Sequence, residues 1–250
     1  MKFQIIKTEN LSRTFRNNGS VTTVIRGLDT SIYRGEFTVI MGNSGSGKST
    51  LLYLLCGLDK ATSGSVWIND IPVHGRSEKD LALLRRNNVG FVFQDNNLVP
   101  SLTIKENILV AGYLVNKDKK LLNRRADSLL EDLDILPLAG RMPSQVSGGE
   151  SQRCAIARAL INNPVVLLAD EPTGSLNSEA SEKVLDCLVR LHRSGQSIIM
   201  VTHDIKSASR GERVLFFRDG RIIDELRFDQ NVVVSAKEDG LLHWLKERGW

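Results

Sequence analysis

One run of nine residues constrains this chain more than anything else in it: Gly42, Asn43, Ser44, Gly45, Ser46, Gly47, Lys48, Ser49 and Thr50. It satisfies the P-loop pattern, in which two glycines separated by four residues lead into a lysine and a hydroxyl residue. The context is the one that pattern demands. Phe37-Thr38-Val39-Ile40-Met41 before it reads as a buried strand, and LLYLLCGL after it reads as a helix. Glycines let such a loop wrap closely, and its backbone N–H groups and the following helix N-terminus form a cradle for phosphate oxygens. Lys48 is placed to reach β- and γ-phosphates as a point charge, and Ser49 to offer a hydroxyl to Mg²⁺.

A second apolar run, Val165 to Ala169, ends in Asp170 and Glu171. Successive side chains on a strand point to opposite faces, so two adjacent acids at its end are able to do different work. Asp170 is expected to hold Mg²⁺ through its shell, and Glu171 to orient and deprotonate an attacking water.

Apolar content of 41% and charged content of 25% over 250 residues describe an ordinary globular protein large enough for one α/β domain with an insertion. The net charge of +4 is spread along a chain of mixed signs, which argues against nucleic acid as a partner. Cys56, Cys154 and Cys187 are widely spaced and in apolar or helical settings, so they read as reduced core thiols. The four histidines, His74, His192, His203 and His243, show no zinc-ligand spacing. The first fifteen residues lack the apolar core of a secretory signal, and no apolar run approaches the roughly 20 residues of a membrane span. Work at a membrane would therefore go through a partner.

Alternation of short apolar runs with helix-period segments predicts an α/β fold with a mainly parallel sheet flanked by helices. Its strands are expected at Phe37 to Met41, Val89 to Phe93, Val165 to Ala169, Ile198 to Val201 and Val214 to Phe217. Phe3, Ile5, Val24 and Ile32, with a turn signal at Asn17-Asn18-Gly19-Ser20, predict an antiparallel β flank. Leu121, Leu122, Leu129, Leu130 and Leu133 predict core-facing positions of an inserted helical subdomain. After Ile223 a short tail is expected, in which Leu241, Leu242, Trp244 and Leu245 form an apolar patch of a terminal helix packed on its own domain. The expected division is residues 1–94 and 163–227 for the α/β core with its flank, 95–162 for the helical subdomain and 228–250 for the tail.

Ser147-Gly148-Gly149-Glu150-Ser151-Gln152-Arg153, running into CAIARAL, resembles the signature motif of the ATP-binding cassette (ABC) ATPases. As local structure, Ser147 and Glu150 also have the spacing of a helix capping box. The resemblance runs from Phe15 to about Asp219 and implies a P-loop NTPase core that binds ATP and Mg²⁺. It further implies that Ser147, Gly148, Gly149 and Glu150 approach the nucleotide of a second ATP-binding subunit, in a homodimer or heterodimer around two ATP molecules. Gln94 resembles the glutamine that senses Mg²⁺ and water and contacts a permease, His203 the histidine that bonds the γ-phosphate, and Phe15 the aromatic that stacks on adenine. The implied partner is an integral membrane permease, served from the cytoplasmic face of the cell membrane. FQDNNLVPSLTIKENI and ADEPTGSLNS look most like the subgroup serving macrolide export, lipoprotein release and bacitracin-type peptide resistance.

Four positions depart from the family pattern: Val146 and Glu150 where Leu and Gln are commonest, Asn177 for aspartate and Phe15 for tyrosine. Glu150 brings a negative charge to a helix end that should face phosphate, unless its capping bonds hold it away. Because Lys48, Asp170, Glu171 and His203 are all present, the chain is expected to be an active ATPase. The alternatives are an ATP-binding regulatory subunit with little turnover, or a soluble ABC ATPase outside transport.

Overall fold

The computed structural model describes residues 3–17, 20–229 and 233–250. In chain order its strands are β1 (Gln4–Asn17), β2 (Ser20–Tyr33), β3 (Phe37–Met41), β4 (Ser63–Ile68), β5 (Ile71–Pro72), β6 (Val89–Val92), β7 (Val166–Asp170), β8 (Ser197–Thr202), β9 (Arg213–Arg218) and β10 (Arg221–Arg227). Its helices are α1 (Lys48–Leu55), α2 (Glu78–Asn88), α3 (Ile104–Tyr113), α4 (Lys119–Asp132), α5 (Gly148–Leu160), α6 (Ser178–Arg193), α7 (Ile205–Ala208) and α8 (Val234–Glu247). The chain divides into two units, Met1–Leu81 with Ser197–Trp250, and Ala82–Gln196.

In the first unit, β3 is buried at every position and lies between β8 and β9, parallel to both. A continuous apolar run with no polar face is what a strand covered on both sides requires. β10 closes this edge antiparallel to β9, through a turn in which Asp219 and Gly220 both take positive φ, 50° and 79°. A second, antiparallel sheet has the order β2-β1-β4-β5. Its register pairs Ile6 with Ile32 and Phe15 with Thr22, and bulges interrupt it between Thr8 and Thr14. Ile5, Ile6, Leu11, Ile25 and Ile32 form its buried side.

In the second unit, β6 and β7 pair in parallel, Val89 opposite Val166. The part of α2 from Ala82 onward and helices α3, α4, α5 and α6 complete it, and polar side chains start each of the last four. Thr103 and Ser147 form reciprocal capping boxes with Glu106 and Glu150, while Asp118 and Asn177 accept amide protons at the starts of α4 and α6. Each such cap satisfies amides that the helix itself leaves without partners. Asn107 is fully buried in α3 and clasps the loop before it, accepting from Val99 N at 2.7 Å and donating to the carbonyls of Val99, Leu102 and Thr103.

Four expectations need correction. Phe3 is 68% exposed and precedes β1 rather than contributing to its buried side. Leu121 is 46% exposed while Leu122, Leu129, Leu130 and Leu133 are buried, because adjacent residues on a helix lie about 100° apart and five such positions cannot share one face. Leu242 is left at 36% exposure beside buried Leu241, Trp244 and Leu245 for the same reason. The stretch after Ile223 is not a tail from that point, since it continues β10 through Arg227 before α8. Asn18 and Gly19 of the predicted turn lie outside the described residues, though Asn17 and Ser20 pair across it.

The terminal helix α8 does pack on its own unit. Trp244 meets Phe216 edge-on at 6.1 Å between ring centroids, and Trp250 meets the same ring at 5.9 Å. The three cysteines are buried and unpaired with one another, and burial pushes the Cys154 thiol up to about 12, which keeps it protonated and unreactive. Among the described residues, no helix is long and apolar enough to cross a membrane.

Candidate active site

In the first unit the loop 42–47 joins the carboxyl end of β3 to the start of α1. Gly47, the N-cap residue, has φ 103°, a conformation that suits glycine and little else, and a Cβ there would lie 2.6 Å from Val24 Cγ1. At Gly42 a Cβ would come within 2.1 Å of the Phe217 carbonyl oxygen, so the backbone runs against β9 where no side chain fits. Lys48 is 5% exposed, and its ammonium donates to the carbonyls of Gly42 at 2.7 Å and Asn43 at 2.9 Å. The lysine thereby folds back over the loop and holds a full positive charge at its centre.

The loop fits a polyphosphate. The N-cap residue of α1 is a glycine and its first turn has no acidic residue, so the helix supplies no anion of its own to its positive dipole end. Ser46 Oγ is buried with no hydrogen-bond partner among the described residues, a cost that an oxygen-rich ligand would relieve. Ser49 sits half-buried in the first turn of α1. His203 follows β8 and is exposed. Its neighbours are fixed by side-chain bonds, as Thr202 Oγ1 accepts from Asp204 N at 3.0 Å and Asp204 accepts from Ser207 N at 2.7 Å. Phe15 is half-buried on β1, with the Arg13 guanidinium carbon 4.3 Å from its ring centroid.

In the second unit Asp170 closes β7 at 6% exposure, and Glu171 follows it with φ 45°. A left-handed conformation at a glutamate is uncommon and costs on the order of 1 kcal/mol, and such strain concentrates where a side chain must be aimed. The next turn returns at once, with Gly174 N donating to the Glu171 carbonyl at 3.0 Å. Gln94 is exposed just past β6, and its amide Nε2 lies 3.1 Å from the position a Cβ on Gly174 would take. The structure thus brings the sequence-predicted Gln94 to the loop that carries Glu171.

The helix α5 starts with Ser147 and Gly148 exposed and Gly149 buried. Glu150 Oε2 accepts from Ser147 N at 2.7 Å and from Ser147 Oγ at 2.8 Å, and its own N–H donates back to Ser147 Oγ at 3.3 Å. Those two bonds from Ser147, with help from Arg153 and Lys183 nearby, hold the Glu150 carboxyl below its ordinary range. Its charge is therefore used on the helix's own first amides.

Two parts of the arrangement escaped the sequence reading. Gln152, buried in α5, donates to the Phe93 carbonyl at 3.0 Å and so fixes the backbone beside Gln94. Arg13 on Phe15 is the other; its ion pair with Asp59 spans 46 positions, which no local pattern announces.

A phosphate loop on a strand-to-helix turn, a carboxylate pair after a strand and a capped Ser-Gly-Gly-Glu helix start are now in place. The model of the ABC transporter family matches residues 25–174. The chain belongs to that family.

The lipoprotein-releasing system ATP-binding protein LolD of Aquifex aeolicus (strain VF5) is 42% identical over 223 residues, 89% of this chain and 98% of that protein. The macrolide export ATP-binding/permease protein MacB of Neisseria gonorrhoeae (strain ATCC 700825 / FA 1090) is 40% identical over 92% of this chain, which spans 36% of MacB. Among solved structures, a dimeric post-hydrolysis state of the ATP-binding cassette MJ0796 bound to ADP and Pi superposes with a TM-score of 0.82 at 37% identity, covering 90% of this chain and 99% of that one. This ABC protein is an ATP-binding subunit and an ATPase, with ATP as substrate and Mg²⁺ as the metal its family uses.

Proposed function

We propose that this subunit hydrolyses ATP to drive an integral membrane permease, as one of two ATP-binding chains that close around two Mg-ATP. The observation that carries the reading is Lys48, buried and folded over a loop in which Gly42 and Gly47 leave no room for a Cβ, at the head of a helix with no acidic residue in its first turn. In this reading Gly42 to Thr50 receive the phosphates, with Lys48 on the β- and γ-phosphates. Phe15 takes the adenine ring. Ser49, Asp170 and the Gln94 amide oxygen are each hard oxygen donors of the kind Mg²⁺ takes, and would hold that ion. When bound, that ion neutralises phosphate charge and orients the oxygens.

Glu171 accepts the proton of the attacking water, aimed by its strained backbone, and His203 donates to the γ-phosphate. Ser147, Gly148, Gly149 and Glu150 present the start of α5 to the nucleotide of the second chain, which is either identical or a homologous partner. Residues 95–162 act as the helical signature subdomain, and the permease docks beside Gln94. The subunit works at the cytoplasmic face of the cell membrane and touches it only through the permease. The likeness to LolD and MacB supports cargo of the lipoprotein or macrolide kind; an antimicrobial peptide is a third candidate, on the sequence resemblance alone.

Replacing Glu171 with Gln tests the assignment of the base. Steady-state ATP turnover is expected to fall by about 10² or more while Mg-ATP still binds and the closed dimer accumulates, seen by light scattering. Normal turnover in that variant would remove Glu171 from the role.

A further inference from the structure

Phe15 has a fixed cation behind it. The Arg13 guanidinium stacks on one face of the ring, 4.3 Å from its centroid, and is itself held by a 2.8 Å ion pair from Nη2 to Asp59 Oδ1. Both partners are about three-quarters buried, at 22% and 24% side-chain exposure. Arg13 Nε is buried with no acceptor among the described residues, so the group sits where the ring and Asp59 place it rather than where a full set of acceptors would. Asp59 is in turn fixed, its amide bonded to the Tyr53 carbonyl at 3.2 Å and Oδ1 accepting from Lys60 N at 2.7 Å.

Tyr53 belongs to α1, whose other end is the phosphate loop. The strand carrying Phe15 is anchored to the same segment, with Thr14 N donating to Thr62 Oγ1 at 3.0 Å and Thr62 N to the Ser12 carbonyl at 2.8 Å. At the loop end, Gly47 packs on Val24 of β2, the strand paired with β1. The aromatic platform and the phosphate cradle are thus tied together at both ends of α1.

We propose that Arg13, locked by Asp59, is a positioning residue for nucleotide binding: it braces one face of Phe15 and presents the other to the purine. The inference rests on the reading of Phe15 as the adenine platform. A cation on one face draws π-electron density toward itself, which makes the opposite face a better stacking partner for an electron-rich purine. The brace also removes the ring's freedom to swing, so less order has to be gained on binding. The effect is confined to the base; the phosphates do not feel it.

The test measures the affinity of the full chain for Mg-ATP and for magnesium triphosphate without a nucleoside, in the wild type, Arg13→Ala, Arg13→Lys, Asp59→Asn and Phe15→Ala. Arg13→Ala is expected to weaken ATP about fivefold and leave inorganic triphosphate unchanged. Arg13→Lys, which keeps the cation but not the planar stack, should recover part of that loss, and Asp59→Asn should show a smaller loss in the same direction. Three results overturn the proposal: equal losses for both ligands with Arg13→Ala, no loss of ATP affinity, or a gain, which would mean that Arg13 occupies the purine's own face. Phe15→Ala separates the two ideas. If it fails to discriminate ATP from triphosphate, the platform reading itself is wrong, whereas discrimination by Phe15→Ala alone removes only Arg13.

Discussion

Glu150 shows how one side chain reconciles a local and a functional demand. A glutamate near the phosphate-facing end of α5 threatens electrostatic repulsion, yet its carboxylate is turned back onto Ser147 N and Ser147 Oγ. The Ser147 hydroxyl proton is thereby committed to Glu150, and a phosphate oxygen would have to compete for it. The capping bonds hold the carboxyl below its ordinary value of 4.5, so the linkage has a definite sign. The cap's contribution is complete above about pH 4.5 and is lost as pH falls through the depressed folded value. Amide exchange at the first turn of α5 is expected to stay protected from neutral pH down to that point and to open below it. Glu150→Ala should remove the dependence and cost about 1 kcal/mol. A protection profile that ignores pH in the wild type would show that the box contributes nothing in solution. Asn177, a further departure, is accommodated in a similar way: its Oδ1 caps α6 at Ala180 N with a 2.9 Å bond, which needs no charge.

At the level of elements, burial decided what was legible. β3, β7, β8 and β9 are wholly or almost wholly buried, and a covered strand must be written in consecutive apolar residues. β10 alternates exposed and half-buried positions with Asp224, Glu225 and Arg227 among them, so its pattern resembles a solvated tail. What makes it a strand is pairing with β9 and a charge network that sequence does not show. Arg213, 7% exposed, bonds Glu225 at 2.6 Å, the Ser31 carbonyl at 2.7 Å and Glu36 at 3.4 Å. Glu36, 6% exposed, also receives Arg227 Nη1 at 2.8 Å and the Thr38 hydroxyl at 3.1 Å. Removing one member leaves buried charge uncompensated, so Glu36→Ala should destabilise the chain by about 3–5 kcal/mol. Chemical denaturation checks this, and a loss below 1 kcal/mol would mean that water enters and screens the network. The site residues were legible for a different reason: glycines, a lysine and paired acids at fixed spacing cannot be replaced by generic polar residues and still cradle phosphate. Gln152 and the Arg13–Asp59 pair lacked such a signature, since their roles depend on partners distant in sequence.

For the molecule as a whole, the decisive question is how many chains make one hydrolytic unit. Ser147 to Glu150 form a helix start whose own amides are capped from within, with Ser147 and Gly148 at the surface. In the proposed cycle that surface serves the ATP of a second copy, and each copy returns the favour across a twofold axis. Such a site exists only when chains associate, so turnover per chain must depend on concentration. Mg-ATP hydrolysis by the purified chain is expected to rise more than linearly with protein concentration and to become linear once dimers dominate. Wild-type chain titrated with the Glu171→Gln variant should lose activity faster than simple dilution if paired sites fire together. Linear turnover at every concentration, down to the lowest that can be assayed, would place the complete hydrolytic unit within one chain. ATP binding without turnover would instead favour a regulatory subunit or a homologous partner, and adding the permease would then distinguish an ATPase awaiting its partner from one that does not hydrolyse.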